Sequence, residues 1–208
     1  MLLFALLLSA CLEAPSKTDA TDKPTGFQAA AVPRTPTGSL TVTVTGKAGP
    51  VAGAAVWLGD TGEKVAPVAR ALTLDGAHLT PTLNVLPPGS AISVHNVEGR
   101  ARTVHLVSAA AAADAPPLAV RDLLGGATAG IPLSGTGVLR LICGPDPCPD
   151  AALVVGVGGI TDVHGQVAIA DIPVGPVRVH VWHATAGEAD ATSAVAANAN
   201  ANLSLSLP

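Results

Sequence analysis

The sequence predicts an all-β fold, an antiparallel β-sandwich, and three observations predict it. Leu40, Val42 and Val44 alternate with Thr41, Thr43 and Thr45, the two-residue period of a half-buried strand. Short apolar runs of this kind recur between Gly and Pro clusters, and no long segment carries the 3.6-residue period of a helix. Among 208 residues, 22 are Gly, 18 are Pro and only 12% are charged, which argues against helical bundles and coiled coils. The 49% hydrophobic share is enough for a buried core, so the whole chain is not disordered. That length holds one medium domain, or a sandwich with an insertion.

The chain opens on the apolar run Leu2 to Leu8. A bilayer span needs about 17–25 apolar residues, so this run is too short to cross one and suits the core of a secretory signal. Leu8-Ser9-Ala10-Cys11 resembles the bacterial lipobox. The resemblance implies that residues 1–10 are a signal peptide and that Cys11 is the lipidation site. Two or more acyl chains would then make the lipid bilayer a partner. Leu12, rather than Asp, after that cysteine implies the outer membrane, by resemblance to enteric lipoproteins. Residues 11–37, polar and Pro-bearing without periodicity, read as the lipidated Cys and a flexible tether.

From Gly38 the strands follow in order. The first spans Leu40 to Thr45, and Gly46 to Pro50 turns the chain into a second over Val51 to Leu58. Strands are then expected at Ala77–Val85, Ala91–Asn96 and Arg102–Ser108, the first two separated by Pro87-Pro88-Gly89. Pro116-Pro117 halts the alanine run Ala109 to Ala113 before it can build a helix. Thr136–Ile142 and Ala152–Val157 flank a loop containing Cys143 and Cys148. Gln166–Ile172 and Val177–His183 form the next pair. Residues 184–201 are low-complexity Ala, Asn and Thr, and Leu203, Leu205 and Leu207 alternate with serine in a closing strand.

Several of these segments resemble one family. Gly49-Pro50-Val51-Ala52-Gly53-Ala54-Ala55-Val56-Trp57-Leu58 looks like the opening of extracytoplasmic plastocyanin-like proteins. Thr161-Asp162-Val163-His164-Gly165-Gln166, Ile172-Pro173-Val174-Gly175-Pro176 and Val179-His180-Val181-Trp182-His183 are similar to their closing hairpin. Leu86-Pro87-Pro88-Gly89 to Val94, Asn96 with Thr103-Val104-His105-Leu106, and Gly137 to Cys143 resemble the strands that carry their copper ligands. The resemblance covers residues 38–183. It implies a Greek-key cupredoxin-like sandwich, residues 62–151, inserted in a small transthyretin- or carboxypeptidase-regulatory-like β-domain made of residues 38–61 and 152–208.

The family's site holds copper in a plane of two His and one Cys thiolate, with a distant Met. By resemblance His105 takes the first His position and Cys143 the Cys position. The remaining two positions hold Asp146 and Pro149, and Cys148 is additional, so the copper site looks degenerate. Three readings of the loop stay open. A Cys143–Cys148 disulfide is favoured by an oxidising compartment and by Gly and Pro residues that let the chain double back. The alternatives are an altered metal site using His105, Cys143, Cys148 and Asp146, or two inert thiols. No cofactor is therefore the expectation, with copper as the alternative.

The other histidines carry no constellation. In Val177–His183, His180 and His183 fall on opposite faces and cannot chelate one ion together, and His183 reads as a strand cap. His95 reads as outward-facing, His78 and His164 as turn or surface residues, and Trp57 and Trp182 as sandwich core. A net charge of −4 and four aromatics, Phe4, Phe27, Trp57 and Trp182, exclude a nucleic-acid partner. No G-x-S-x-G elbow, H-E-x-x-H pair or P-loop occurs, and Gly156-Val157-Gly158-Gly159 precedes a hairpin rather than a helix. The expectation is a lipid-anchored, extracytoplasmic, non-enzymatic binding or structural module of the cell envelope, with an unidentified envelope or redox partner. The alternative is a copper protein for electron transfer or metal handling, using His105 and Cys143.

Overall fold

A computed structural model describes residues 35–59, 61, 65–76, 78–112, 114–144 and 150–208. The expectations for the signal peptide, Cys11, the tether up to residue 34, Asp146, Cys148 and Pro149 lie outside the described residues. The strands in chain order are β1 (Thr37–Gly46), β2 (Gly49–Pro50), β3 (Ala55–Leu58), β4 (Ala69–Asp75), β5 (His78–Thr80), β6 (Leu83–Leu86), β7 (Ala91–Asn96) and β8 (Arg102–Ser108). They continue as β9 (Ala119–Leu123), β10 (Thr128–Pro132), β11 (Gly137–Gly144), β12 (Ala151–Val155), β13 (Val157–Ile160), β14 (Gln166–Pro173), β15 (Gly175–His183), β16 (Gly187–Val195) and β17 (Asn200–Ser206). No helix among the described residues is long and apolar enough to cross a membrane.

The protein is all-β, built as one sandwich inserted into another. The flanking sandwich packs the sheet β14-β1-β17, with β2 on β1, against the sheet β13-β3-β15-β16. Its core takes Leu40, Val42 and Val44 from the first sheet and Val56, Val179 and Val181 from the second, all but fully buried. The inserted sandwich packs β10-β7-β4-β5 against β6-β12-β11-β8-β9 around Leu72, Ile92, Val94, Leu106, Leu141 and Leu153. Alternation explains both cores: β1 buries its apolar residues and turns its threonines outward. A third, small cluster joins the two sandwiches, where Ala55 and Trp57 of β3 meet Val154 of β12.

Three differences from the sequence reading have physical causes. The sheets are mixed rather than wholly antiparallel: β1 with β17, β4 with β7 and β6 with β12 pair in parallel. Each of those pairs is joined by a long excursion, which lets a returning strand run in either direction, whereas a tight hairpin permits only antiparallel pairing. The boundary expected at residue 152 also moves. β12 pairs with β11 and β6 inside the inserted sandwich, and its Ala151, Leu153 and Val155 enter that core. The chain crosses back at Gly156, so Val157 already packs on the flanking core. Pro81, joined by a cis peptide to Thr80, splits the expected strand Ala77–Val85 into β5 and β6, which lie in different sheets.

The low-complexity tail is ordered strand. β16 pairs with β15 over its length, from Gly175 with Val195 to His183 with Gly187. β17 runs beside β1, with Ser39 opposite Asn200 and Thr45 opposite Ser206.

Candidate functional site

His105 and Cys143 stand on neighbouring strands, β8 and β11, but face opposite ways. Cys143 is directly opposite Val104, which is fully buried, and packs on the inserted core. His105 is opposite Ile142 and Val120, and Val120 is exposed. Directly paired residues share a face and successive residues alternate, so the sheet itself separates the imidazole from the sulfur. A Cβ at Gly144 would sit 3.0 Å from His105 Nε2, which places the ring against the backbone after Cys143 and away from its side chain. The strand register thus places His105 and Cys143 on opposite faces of one sheet, whereas ligands of one ion must converge on one point. Among the described residues, no group of three or more His, Cys, Asp and Glu is placed to hold a metal ion.

The loops beside this region are held by two buried polar residues. Asn96, at the end of β7, is fully buried. Its Nδ2 donates to the carbonyls of Arg100, Leu123 and Leu124 at 2.8, 3.1 and 3.2 Å, and its Oδ1 accepts from the Glu98 amide at 3.0 Å. Arg102 is 5% exposed and donates through Nη2 to Glu98 at 3.0 Å and to the Gly76 carbonyl at 2.8 Å. Hydrogen bonds from Arg102 and then Arg100 hold the Glu98 carboxyl below its ordinary pKa. Asn96 was read from the sequence only as part of a resemblance; its work here is to tie two loops together.

The remaining histidines are placed as the strand parity predicts. His183 Nδ1 accepts from the Ala186 amide at 3.1 Å and so caps β15. His95 is exposed and bonded to Thr128 Oγ1 at 2.8 Å. His180 lies on the other face of β15 from His183, stacked on Trp57 with ring centroids 5.2 Å apart and paired with Asp190. The two tryptophans differ from expectation: they belong to the junction between sandwiches rather than to either core.

That junction opens into a groove of about 580 Å³. Its walls include Trp182 and His183 from the flanking sandwich and Thr82, Arg140 and Asp150 from the inserted one. Arg140 and Asp150 form an ion pair across its rim. Sequence reasoning missed this site because its residues come from separate segments and share no motif. The only local signal was the pair of tryptophans in a chain with four aromatics.

No family model matches the chain, and no curated protein matches it. Solved structures do. An oxidised amicyanin variant is 15% identical with a TM-score of 0.35, covering 50% of this chain and 98% of its own. A reduced Cu(I) amicyanin variant is 17% identical with a TM-score of 0.35, over 49% and 97%. A copper-containing nitrite reductase from Thermus scotoductus is 15% identical with a TM-score of 0.36, over 44% of this chain and 23% of its own.

Proposed function

We propose that the protein is a lipid-anchored, extracytoplasmic binding or structural module, not an enzyme, whose cupredoxin-like scaffold no longer carries a copper site. The observation that carries this reading is the divergence of His105 and Cys143 on the two faces of one sheet. Blue-copper chemistry needs a thiolate and imidazoles around one ion, and here the sulfur and the imidazole stand on opposite faces of the sheet. The disulfide between Cys143 and Cys148 belongs to the same reading. It is supported by the Gly and Pro residues between the two cysteines, which let the chain double back. Such a bridge consumes the ligand and staples the loop that copper would otherwise organise. The anchor at Cys11, the outer-membrane address and the envelope partner rest on the sequence resemblance alone.

The test uses the full chain purified from membranes. Its copper content is measured after dialysis, and its cysteines are alkylated under denaturing conditions without reductant, then counted by intact mass. The module reading expects far less than one copper per chain and no alkylation of Cys143 or Cys148. A stoichiometric, tightly held copper ion that is lost in both His105→Ala and Cys143→Ser would overturn it in favour of a copper protein.

A further inference from the structure

We propose that the groove between the two sandwiches is a binding site for a neutral oligosaccharide, with one sugar ring laid on Trp182. The inference rests on the module reading and gives that module a ligand class. The groove's volume of about 580 Å³ lies within the roughly 300–1,000 Å³ of small-molecule sites. Gly53 and Ala152 line it without side chains that would fill it. Trp182 is half-buried: part of its indole packs on the junction cluster, which fixes the ring, and the residue also borders the groove. An aromatic ring so held offers a rigid apolar face that costs little entropy on binding, and the C–H face of a pyranose matches it.

The polar groups choose a neutral partner. Arg140 and Asp150 bring donors and acceptors to the rim but are already paired, so their charges cancel. An anionic ligand would have to compete with Asp150 for the guanidinium, whereas hydroxyls can bond the unused edges of both groups. His183 contributes a donor: its Nδ1 accepts from the Ala186 amide, which leaves the ring proton on Nε2. The exposed Thr82 hydroxyl can both donate and accept. Donors and acceptors lining the same groove as an aromatic ring suit a polyol better than a flat apolar molecule or a single charge.

The experiment titrates the detergent-solubilised full chain by calorimetry and tryptophan fluorescence. The probes are cellohexaose, maltohexaose, chitohexaose and xylohexaose, with hexagalacturonate as the anionic counterpart. At least one neutral hexaose should bind and perturb the fluorescence. Trp182→Ala should weaken that binding by at least about tenfold, and Trp182→Phe by less, because a smaller aromatic face remains. Thr82→Val and Arg140→Gln, on exposed side chains, should each weaken it severalfold, and they carry the test if Trp182→Ala does not fold. The proposal is overturned if no neutral hexaose binds at millimolar concentration, if hexagalacturonate binds more tightly, or if the groove variants bind as the parent does. Those failures are read in sugar titrations, whereas the module reading fails in the copper measurement.

Discussion

At the scale of single residues, the buried polar groups show why particular side chains stand where they do. Thr161 is 4% exposed and both donates to the Val51 carbonyl at 2.7 Å and accepts from the Ala54 amide at 2.8 Å, so its hydroxyl closes the turn before β3. Asn96 does the same for two loops at the far end of the inserted sandwich. Glu98 turns this loop architecture into a pH dependence. Its pKa is lowered in the folded protein, chiefly by the Arg102 hydrogen bonds and next by Arg100. A depressed carboxyl contributes stability that is complete above its unfolded pKa and is lost as pH falls through the folded one. Urea midpoints should therefore fall on the acid side of the ordinary carboxylate range, and Glu98→Gln should flatten that part of the curve. An acid limb unchanged in Glu98→Gln would remove Glu98 from the account.

At the scale of elements, what was legible is what alternates. β1, β7, β8 and β15 each place apolar residues on one face and polar ones on the other, and their periodicity predicts them. β4 has only Leu72 and Leu74 to bury, and β16 turns Ala189 and Ala191 inward where larger residues would announce a strand. Alanine and threonine composition hides such strands, and tertiary pairing makes them. In the sequence, Gly156 and Gly158 stand out only as the start of a glycine-rich loop that precedes a hairpin rather than a helix. In the fold they let β13 pass Trp57: a Cβ on Gly156 would lie 2.5 Å from the indole, and one on Gly158 would lie 1.9 Å from the Val56 carbonyl oxygen. Gly158→Ala should cost at least about 2 kcal/mol by urea unfolding, since the backbone of β3 or β13 must shift. Gly99→Ala, which meets open space at an ordinary φ, should stay within about 0.5 kcal/mol. Equal effects at the two sites would sink the steric explanation.

At the scale of the whole molecule, the groove between the two sandwiches was not legible, because no single segment of the sequence builds it. Order along the chain reports which strands are neighbours but not which face a side chain takes once a register is set, and that is where His105 and Cys143 part. The junction itself is small, with Trp57 its largest buried member at 8% exposure. Trp57→Ala should cost about 3–5 kcal/mol, the range for removing a buried aromatic. Because each sandwich keeps its own core, the calorimetric trace should also split into two transitions. A single transition that merely shifts down would mean that the sandwiches are coupled elsewhere.

The nesting of the two sandwiches sets an order of assembly. β1 finds its partner β17 only across 161 residues, from Ser39 to Asn200. Every strand of the inserted sandwich lies between Ala69 and Val155, so that unit can close on itself while the later strands are still being made. β1, meanwhile, waits with an apolar face and, beyond its short pairing with β2, with both edges unpaired until β14 and β17 arrive. For a chain that emerges from its N-terminal side, the earliest described strand is thus the last to be protected. That interval is when a chaperone would have most to shield.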